Sequence, residues 1–306
     1  MNKFIVTTTI SSPTEATLKF ANMKGWTLIV VGDLKTPHDE YHNLNCVYLT
    51  PEYQEMEYPE LSEAIGWKCI QRRNIGFVEA YRRGADIVAT VDDDNIPYDG
   101  WGENLLIGQE IDVDCYSSAN GVFDPLSVTN INHLWHRGYP SEHICTKNEV
   151  TYEGKVRRKV LVQADLWDGD PDIDAMARIS YRPEVKITNV KEPYCSSNIS
   201  PFNSQNTFFH RDVLPHYMVI PHIERMDDIW GGYILQHIFK DSLIYNVPTV
   251  YQERNEHDLV TDLEGELIGL RHTMSVIEED YSVIPENAYN AYKIYNKEFD
   301  KEYSYE

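Results

Sequence analysis

Positive charge is what this chain has least of. Its 306 residues include 27 lysines and arginines against 49 aspartates and glutamates, a formal net charge of −22. So acidic a protein repels nucleic acid and anionic membranes, and neither is expected as a partner. The one basic run, Lys155-Val156-Arg157-Arg158-Lys159, reads as a solvated strand edge. Cysteine is also scarce. Cys46, Cys69, Cys115, Cys145 and Cys195 form no CxxC pair and are odd in number. That argues against a zinc site or a disulfide framework and for reduced thiols. No stretch approaches the ~18 apolar residues of a membrane span. The apolar run within Met1 to Ile10 is short and broken by threonines, unlike a signal peptide. A cytoplasmic protein is expected. No repeat or linker interrupts the chain, so one continuous domain is the simplest organisation.

The remaining composition, 42% hydrophobic and 25% charged, is that of a globular chain able to bury a sizeable core. Its first half alternates strand and helix patterns. Phe4 to Thr9 reads as a strand, and Ser12-Pro13-Thr14-Glu15 as a capping box with proline at the first helical position. Trp26 to Val31 is an apolar run of strand length between Gly25 and Gly32. Asn74 to Arg83 reads as a helix and Ala85 to Val91 as a buried strand. This alternation predicts an α/β fold with parallel, right-handed crossovers. Further on, Pro140 to Val162 suggests loops and a hairpin, and Asp227 to Phe239 is the clearest helix. The tail from Glu286 should be helical before it frays.

The sharpest feature is an apolar strand running into three acids, Ile87-Val88-Ala89-Thr90-Val91-Asp92-Asp93-Asp94. Ligands of open α/β sheets bind at the carboxyl ends of strands. Adjacent carboxylates repel one another unless a cation compensates them, and hard oxygen ligands suit Mn²⁺ or Mg²⁺. Asp92-x-Asp94 also satisfies the strand-end motif of haloacid-dehalogenase-type phosphatases. In those enzymes, however, the motif lies on the first core strand, whereas here a long α/β stretch precedes it.

Weaker candidates surround the triplet. In Val31-Gly32-Asp33-Leu34-Lys35, Asp33 could accept from a base or ribose and Lys35 could meet a phosphate. Gln71-Arg72-Arg73-Asn74 opens a helix with two arginines, a setting suited to phosphate. Arg137, in His136-Arg137-Gly138-Tyr139-Pro140, could clamp a diphosphate. The segment Asp165 to Asp174 places Trp167 among carboxylates, a common arrangement for stacking on a sugar. Asp227 and Asp228 open a helix and could take a proton from an acceptor hydroxyl. His257 gains interest only if the fold returns it to the triplet.

Six of these motifs in this order resemble the STELLO-type glycosyltransferases: Gly-Asp-x-Lys-Thr-Pro, Arg-Asn-Ile-Gly, Asp-Asp-Asp-Asn, Arg-Gly-Tyr-Pro, Gly-Asp-Pro-Asp-Ile-Asp-Ala and Asp-Asp-Ile-Trp-Gly-Gly. More distantly, the chain is similar to the plant reversibly glycosylated polypeptides, which include UDP-arabinopyranose mutases. The resemblance spans roughly Ile5 to His272 and is weaker around Asn203 to Thr207.

It implies a GT-A-like glycosyltransferase fold with a mixed central sheet. Residues 1–130 would form a Rossmann-like nucleotide-binding half and 131–280 an acceptor and sugar half, with 281–306 as a tail. It implies a nucleotide-sugar donor, a UDP-sugar, bound with Mn²⁺ or Mg²⁺. Asp94, Asp92 and His257 would serve the metal. Asp33, Lys35, Arg73, Asn74, Asp92, Asp93, Asp172 and Asp174 would serve the donor. Arg137 corresponds to the arginine that becomes glycosylated in the reversibly glycosylated polypeptides. The expected reaction is transfer to an acceptor hydroxyl, with Asp228 or Asp227 as base and the metal and Arg137 on the leaving diphosphate. Ring interconversion of a UDP-sugar through a sugar carried on Arg137, and a non-catalytic sugar-binding scaffold, are the alternatives.

Overall fold

In the computed structural model, which describes residues 1–253 and 258–301, eleven strands form one mixed sheet. They are β1 (Lys3–Thr9), β2 (Thr27–Gly32), β3 (Val47–Leu49), β4 (Ile87–Thr90), β5 (Asn95–Pro97), β6 (Glu110–Ser118), β7 (Val150–Lys159), β8 (Val162–Gly169), β9 (Tyr194–Ser196), β10 (Thr207–His210) and β11 (Leu243–Gln252). The order across the sheet is β3-β2-β1-β4-β10-β8-β11-β9-β6-β7, with β5 beside β11. The first four are parallel, β10 is antiparallel to both β4 and β8, and β8 and β11 are parallel again. The expected α/β class and mixed central sheet are borne out.

Helices α1 (Glu15–Ala21), α2 (His38–Tyr41), α3 (Pro51–Glu57), α4 (Pro59–Ile65), α5 (Arg73–Arg82), α6 (Ala175–Tyr181), α7 (Asp227–Ile238), α8 (Leu259–Ile277) and α9 (Glu286–Glu298) complete the described fold. None of the described helices is long and apolar enough to cross a membrane. The parallel strands were readable because both their faces are covered. Leu28, Ile29, Val30 and Val31 of β2, and all four residues of β4, are buried. The basic run lies on β7, the last strand of the sheet, where Lys155, Arg157 and Lys159 are exposed. There Asp112 of β6 stands opposite Arg157, an edge lined with charge.

Two local expectations need correction. The cap of α1 is Thr14, whose hydroxyl accepts from Thr17 N, so Pro13 precedes the helix rather than opening it. Trp167 is not a sugar platform. It lies on β8, where every residue is buried, and its ring packs into the core beside His136. The neighbouring acids are engaged internally: Asp165 accepts from Gln163 and Thr249, and Asp168 from Tyr98 and Ile187 N.

The feature that positions the site is the reversal at β1. The chain steps outward from β1 through β2 and β3, then returns to β4 on the other side of β1. The carboxyl ends of β1 and β4 therefore flank a topological switch point, where open α/β sheets hold their ligands.

Candidate active site

A cavity of about 730 Å³ opens at this switch point. Thr8 to Ser11 at the end of β1, Asp33 after β2 and the whole triplet after β4 line it. Gln71, Arg73, Arg137, Asp172, Ser204, Asp227 and Asp228 come from the rest of the chain.

Local turn chemistry fixes the triplet and gives each acid a different environment. Asn95 Oδ1 accepts from Asp92 N at 2.8 Å, and Asn95 N donates back to Asp92 O at 3.2 Å. Asp92, about one-third exposed, holds the Arg73 guanidinium at 2.5 Å. Asp93 Oδ2 accepts from Thr9 Oγ1 at 2.5 Å, and its carbonyl accepts from the Thr14 hydroxyl, which pins the loop to β1 and α1. Burial pushes the Asp93 carboxyl up. Asp94 differs from both. Its Oδ1 is buried without a hydrogen-bond partner. Burial and the charges of Asp92 and Asp93 push its pKa up to about 7.

A second cluster centres on Arg137. Its Nε and Nη2 donate to the two oxygens of Asp172 at 2.8 and 3.1 Å. Its Nη1 and Nη2 reach the two oxygens of Asp228 at 3.1 and 3.2 Å, and Nη1 also donates to Arg225 O. Burial opposes the charge on Arg137, but Asp172 and Asp228 outweigh it and hold its pKa well above the usual value. Burial likewise opposes ionisation of Asp172 and Asp228, and Arg137 outweighs it, leaving both carboxyls below the usual range. Asp227 goes the other way: burial and the charge of Asp228 raise it to about 7. Gln71 Nε2 donates to its Oδ2 at 2.6 Å, and Asp228 N donates to its Oδ1 at 2.9 Å.

Two glycines allow this assembly. A Cβ on Gly231 would overlap the Met218 carbonyl oxygen beside α7. Gly138 has φ +75°, and a Cβ there would overlap Ile229, so it lets the Arg137 loop reach α7.

Ser204 joins the clusters. Its hydroxyl accepts from Arg73 Nη1 at 3.0 Å and donates to Asp228 Oδ2 at 3.1 Å, while its N–H also donates to Asp228 at 2.8 Å. A continuous chain of bonds thus runs from Asp92 through Arg73, Ser204 and Asp228 to Arg137 and Asp172. Sequence reading gave no role to Ser204, Gln71 or Thr9. A serine in a loop carries no periodic signal, and its partners lie 131 and 24 residues away.

Not every expected residue reaches the cavity. Asp33 lines it, but its carboxylate accepts from Leu34, Lys68 and Cys69 N–H groups and so anchors the 68–69 loop. Lys35 is exposed and is not on the cavity wall. Both ends of the Asn74 amide are taken by the backbone of Val219, at 2.7 and 2.9 Å. Asp174 caps α6 through Ala177 N and accepts from Trp135 Nε1, away from the cavity. Arg137 faces the cavity but has its donors engaged, so it positions carboxylates rather than offering a free clamp. His257 lies outside the described residues.

Among the described residues the wall carries nine carboxyl groups against four basic side chains. An anionic diphosphate entering it needs a cation. Among the described residues no three His, Cys, Asp or Glu side chains converge as a metal cage. The chemistry still fits Mg²⁺ or Mn²⁺, which bind through one or two carboxylates and complete their shell with substrate phosphates and water. The unpartnered, buried Asp94 oxygen is the ligand such an ion would satisfy.

No family model matches the chain. It is 24% identical over 251 residues to the probable glycosyltransferase STELLO2 of Arabidopsis thaliana, covering 76% of this chain and 32% of that protein. It is 23% identical to STELLO1 of the same plant, with the same coverage. The chain thus spans about a third of the length of these curated relatives, and the similarity bears out the STELLO-type resemblance of the motifs. Solved structures with a similar course include glucosyl-3-phosphoglycerate synthase from Mycobacterium tuberculosis. Its complex with Mn²⁺, UDP and glucosyl-3-phosphoglycerate has a TM-score of 0.48 and 11% identity, covering 93% of this chain and 81% of that one. Its complex with Mg²⁺ and UDP has a TM-score of 0.47 and 10% identity, with the same coverage.

Proposed function

We propose that the chain is a GT-A-like, metal-dependent glycosyltransferase that moves a sugar from a nucleotide-sugar donor, a UDP-sugar, to an acceptor hydroxyl. The observation that carries this reading is the meeting of two acid sets in one cavity at the β1/β4 switch point. One offers an unsatisfied carboxylate oxygen on Asp94, and the other a carboxyl on Asp227 poised near neutrality. The likeness to proteins named probable glycosyltransferases supports it.

A divalent cation held by Asp94 would supply the positive charge that a leaving diphosphate needs. Asp92, oriented by Arg73, faces the donor's ribose. Asp227 accepts the acceptor hydroxyl's proton as the oxygen bonds to the anomeric carbon and the bond to the diphosphate breaks. A base with a pKa near the working pH is the efficient choice, which favours Asp227 over Asp228. Asp228 and Arg137 hold Asp172 and Ser204 in register. The clamp on Arg137 also favours transfer over ring interconversion, since a guanidinium held charged by two carboxylates is a poor nucleophile.

Replacing both Asp92 and Asp94 with alanine tests the mechanism. Donor hydrolysis and transfer are expected to disappear; their survival rules the mechanism out. Incubation with UDP-arabinopyranose should give no furanose product.

A further inference from the structure

The charges around the cavity also bear on the acceptor. Among the described residues, each arginine on its wall is already answered by acid. Arg73 meets Asp92 at 2.5 Å, and Arg137 meets Asp172 and Asp228 at 2.8 and 3.1 Å. Arg225 meets Asp262 and Glu266 at 3.1 and 3.0 Å. The remaining basic side chain among the described residues of the wall is Lys68, and it has no ion-pair partner among them. Its backbone N–H is held by Asp33 at the end of β2, so it stands on the nucleotide side.

From these pairings we infer that the acceptor is an uncharged hydroxyl compound, a sugar or polyol without phosphate or carboxylate. The inference rests on the transferase reading above. A phosphate or carboxylate is recognised by guanidinium forks, ammonium groups or clustered N–H donors. The arginine forks here are spent on the protein's own carboxylates. Binding one cation and one diphosphate donor brings in opposite charges and leaves the excess of wall acids in place. An acceptor anion would add to that excess without a counterion. Hydroxyl groups suit the wall better. They donate to carboxylates such as Asp227 and Glu224, and they exchange hydrogen bonds with the neutral amides of Gln71 and Gln205.

The test uses the full chain with Mn²⁺ and a panel of UDP-sugars, read first by UDP release without an added acceptor. Absence of metal-dependent UDP release overturns the transferase reading, and this inference with it. With an active donor, matched acceptors are compared by UDP release and product mass: glycerol with glycerol 3-phosphate, mannose with mannose 6-phosphate, glucose with glucuronate. The neutral members are expected to receive sugar with a kcat/KM at least tenfold above their anionic counterparts. Equal or better transfer to the anionic members overturns the inference while leaving the transferase reading intact. So does donor turnover in which no neutral member receives sugar.

Discussion

Replacing Arg137 with methionine removes the one positive charge between Asp172 and Asp228, two buried carboxylates. Breaking a buried ion pair from one side costs about 3–5 kcal/mol, because the charge left behind has no counterion. Here two are left behind, so the upper part of that range is expected. Against a total stability of about 5–15 kcal/mol, that is a large share. At ~2–3 °C per kcal/mol the melting temperature should fall by roughly 8–15 °C. The loss should also depend on pH. In the native protein Arg137 holds the Asp172 and Asp228 carboxyls below their unfolded values. Their stabilisation is therefore present above the unfolded pKa, about 4, and is lost only as pH falls through the lower folded value. In the R137M protein the sign reverses. Buried carboxyls without a cation have raised folded pKa values, so they favour the folded state only while protonated and destabilise it as pH rises. The gap in melting temperature between the two proteins should consequently be wide at pH 8 and narrower at pH 5.5. Thermal melts followed by circular dichroism across that range read this directly. A loss under about 1 kcal/mol, or a gap that does not change with pH, would refute the clamp as described.

Other outcomes follow from the same contacts. Asp227→Asn should lower kcat by about 10²–10⁴-fold and leave UDP binding with Mn²⁺ within a few-fold of native, as loss of a general base does. In the unaltered protein, transfer should rise with pH through about 7 as Asp227 loses its proton, and a pH–rate profile checks this. Gly231→Ala should destabilise by about 1–3 kcal/mol or more in urea unfolding, because the added methyl meets the Met218 carbonyl oxygen rather than a side chain that can turn aside.

Much of the β1–β4 side of the cavity was legible because its signals are local. The β2 and β4 runs are apolar on both faces, and the change from Val91 to Asp92 marks a strand end by itself. The Arg137, Asp172 and Asp228 motifs could be picked out, but not their geometry. Three polar segments hundreds of atoms apart in the chain show nothing of who clamps whom. Asn74 and Asp174 misled for a related reason. Each sits in a motif beside true cavity residues, yet the amide of Asn74 is spent on Val219 and the carboxylate of Asp174 on a helix cap. Trp167 misled because a strand buried on both faces can hold acids whose partners lie in other elements, Thr249 for Asp165 and Tyr98 for Asp168. Ser204 left no trace, since its importance lies wholly in joining Arg73 to Asp228.

Asp94 is proposed to bring a divalent cation to a nucleotide diphosphate at the β1/β4 switch point. Calorimetric titration of UDP into the native and D94N proteins, with Mn²⁺ and with a chelator, addresses it most directly. The native protein should bind UDP with Mn²⁺ and lose at least about 100-fold in affinity with the chelator, or about 2.7 kcal/mol. The D94N protein should bind as weakly in either condition. UDP binding of equal strength with and without the metal, or undiminished metal-dependent binding by D94N, would contradict it.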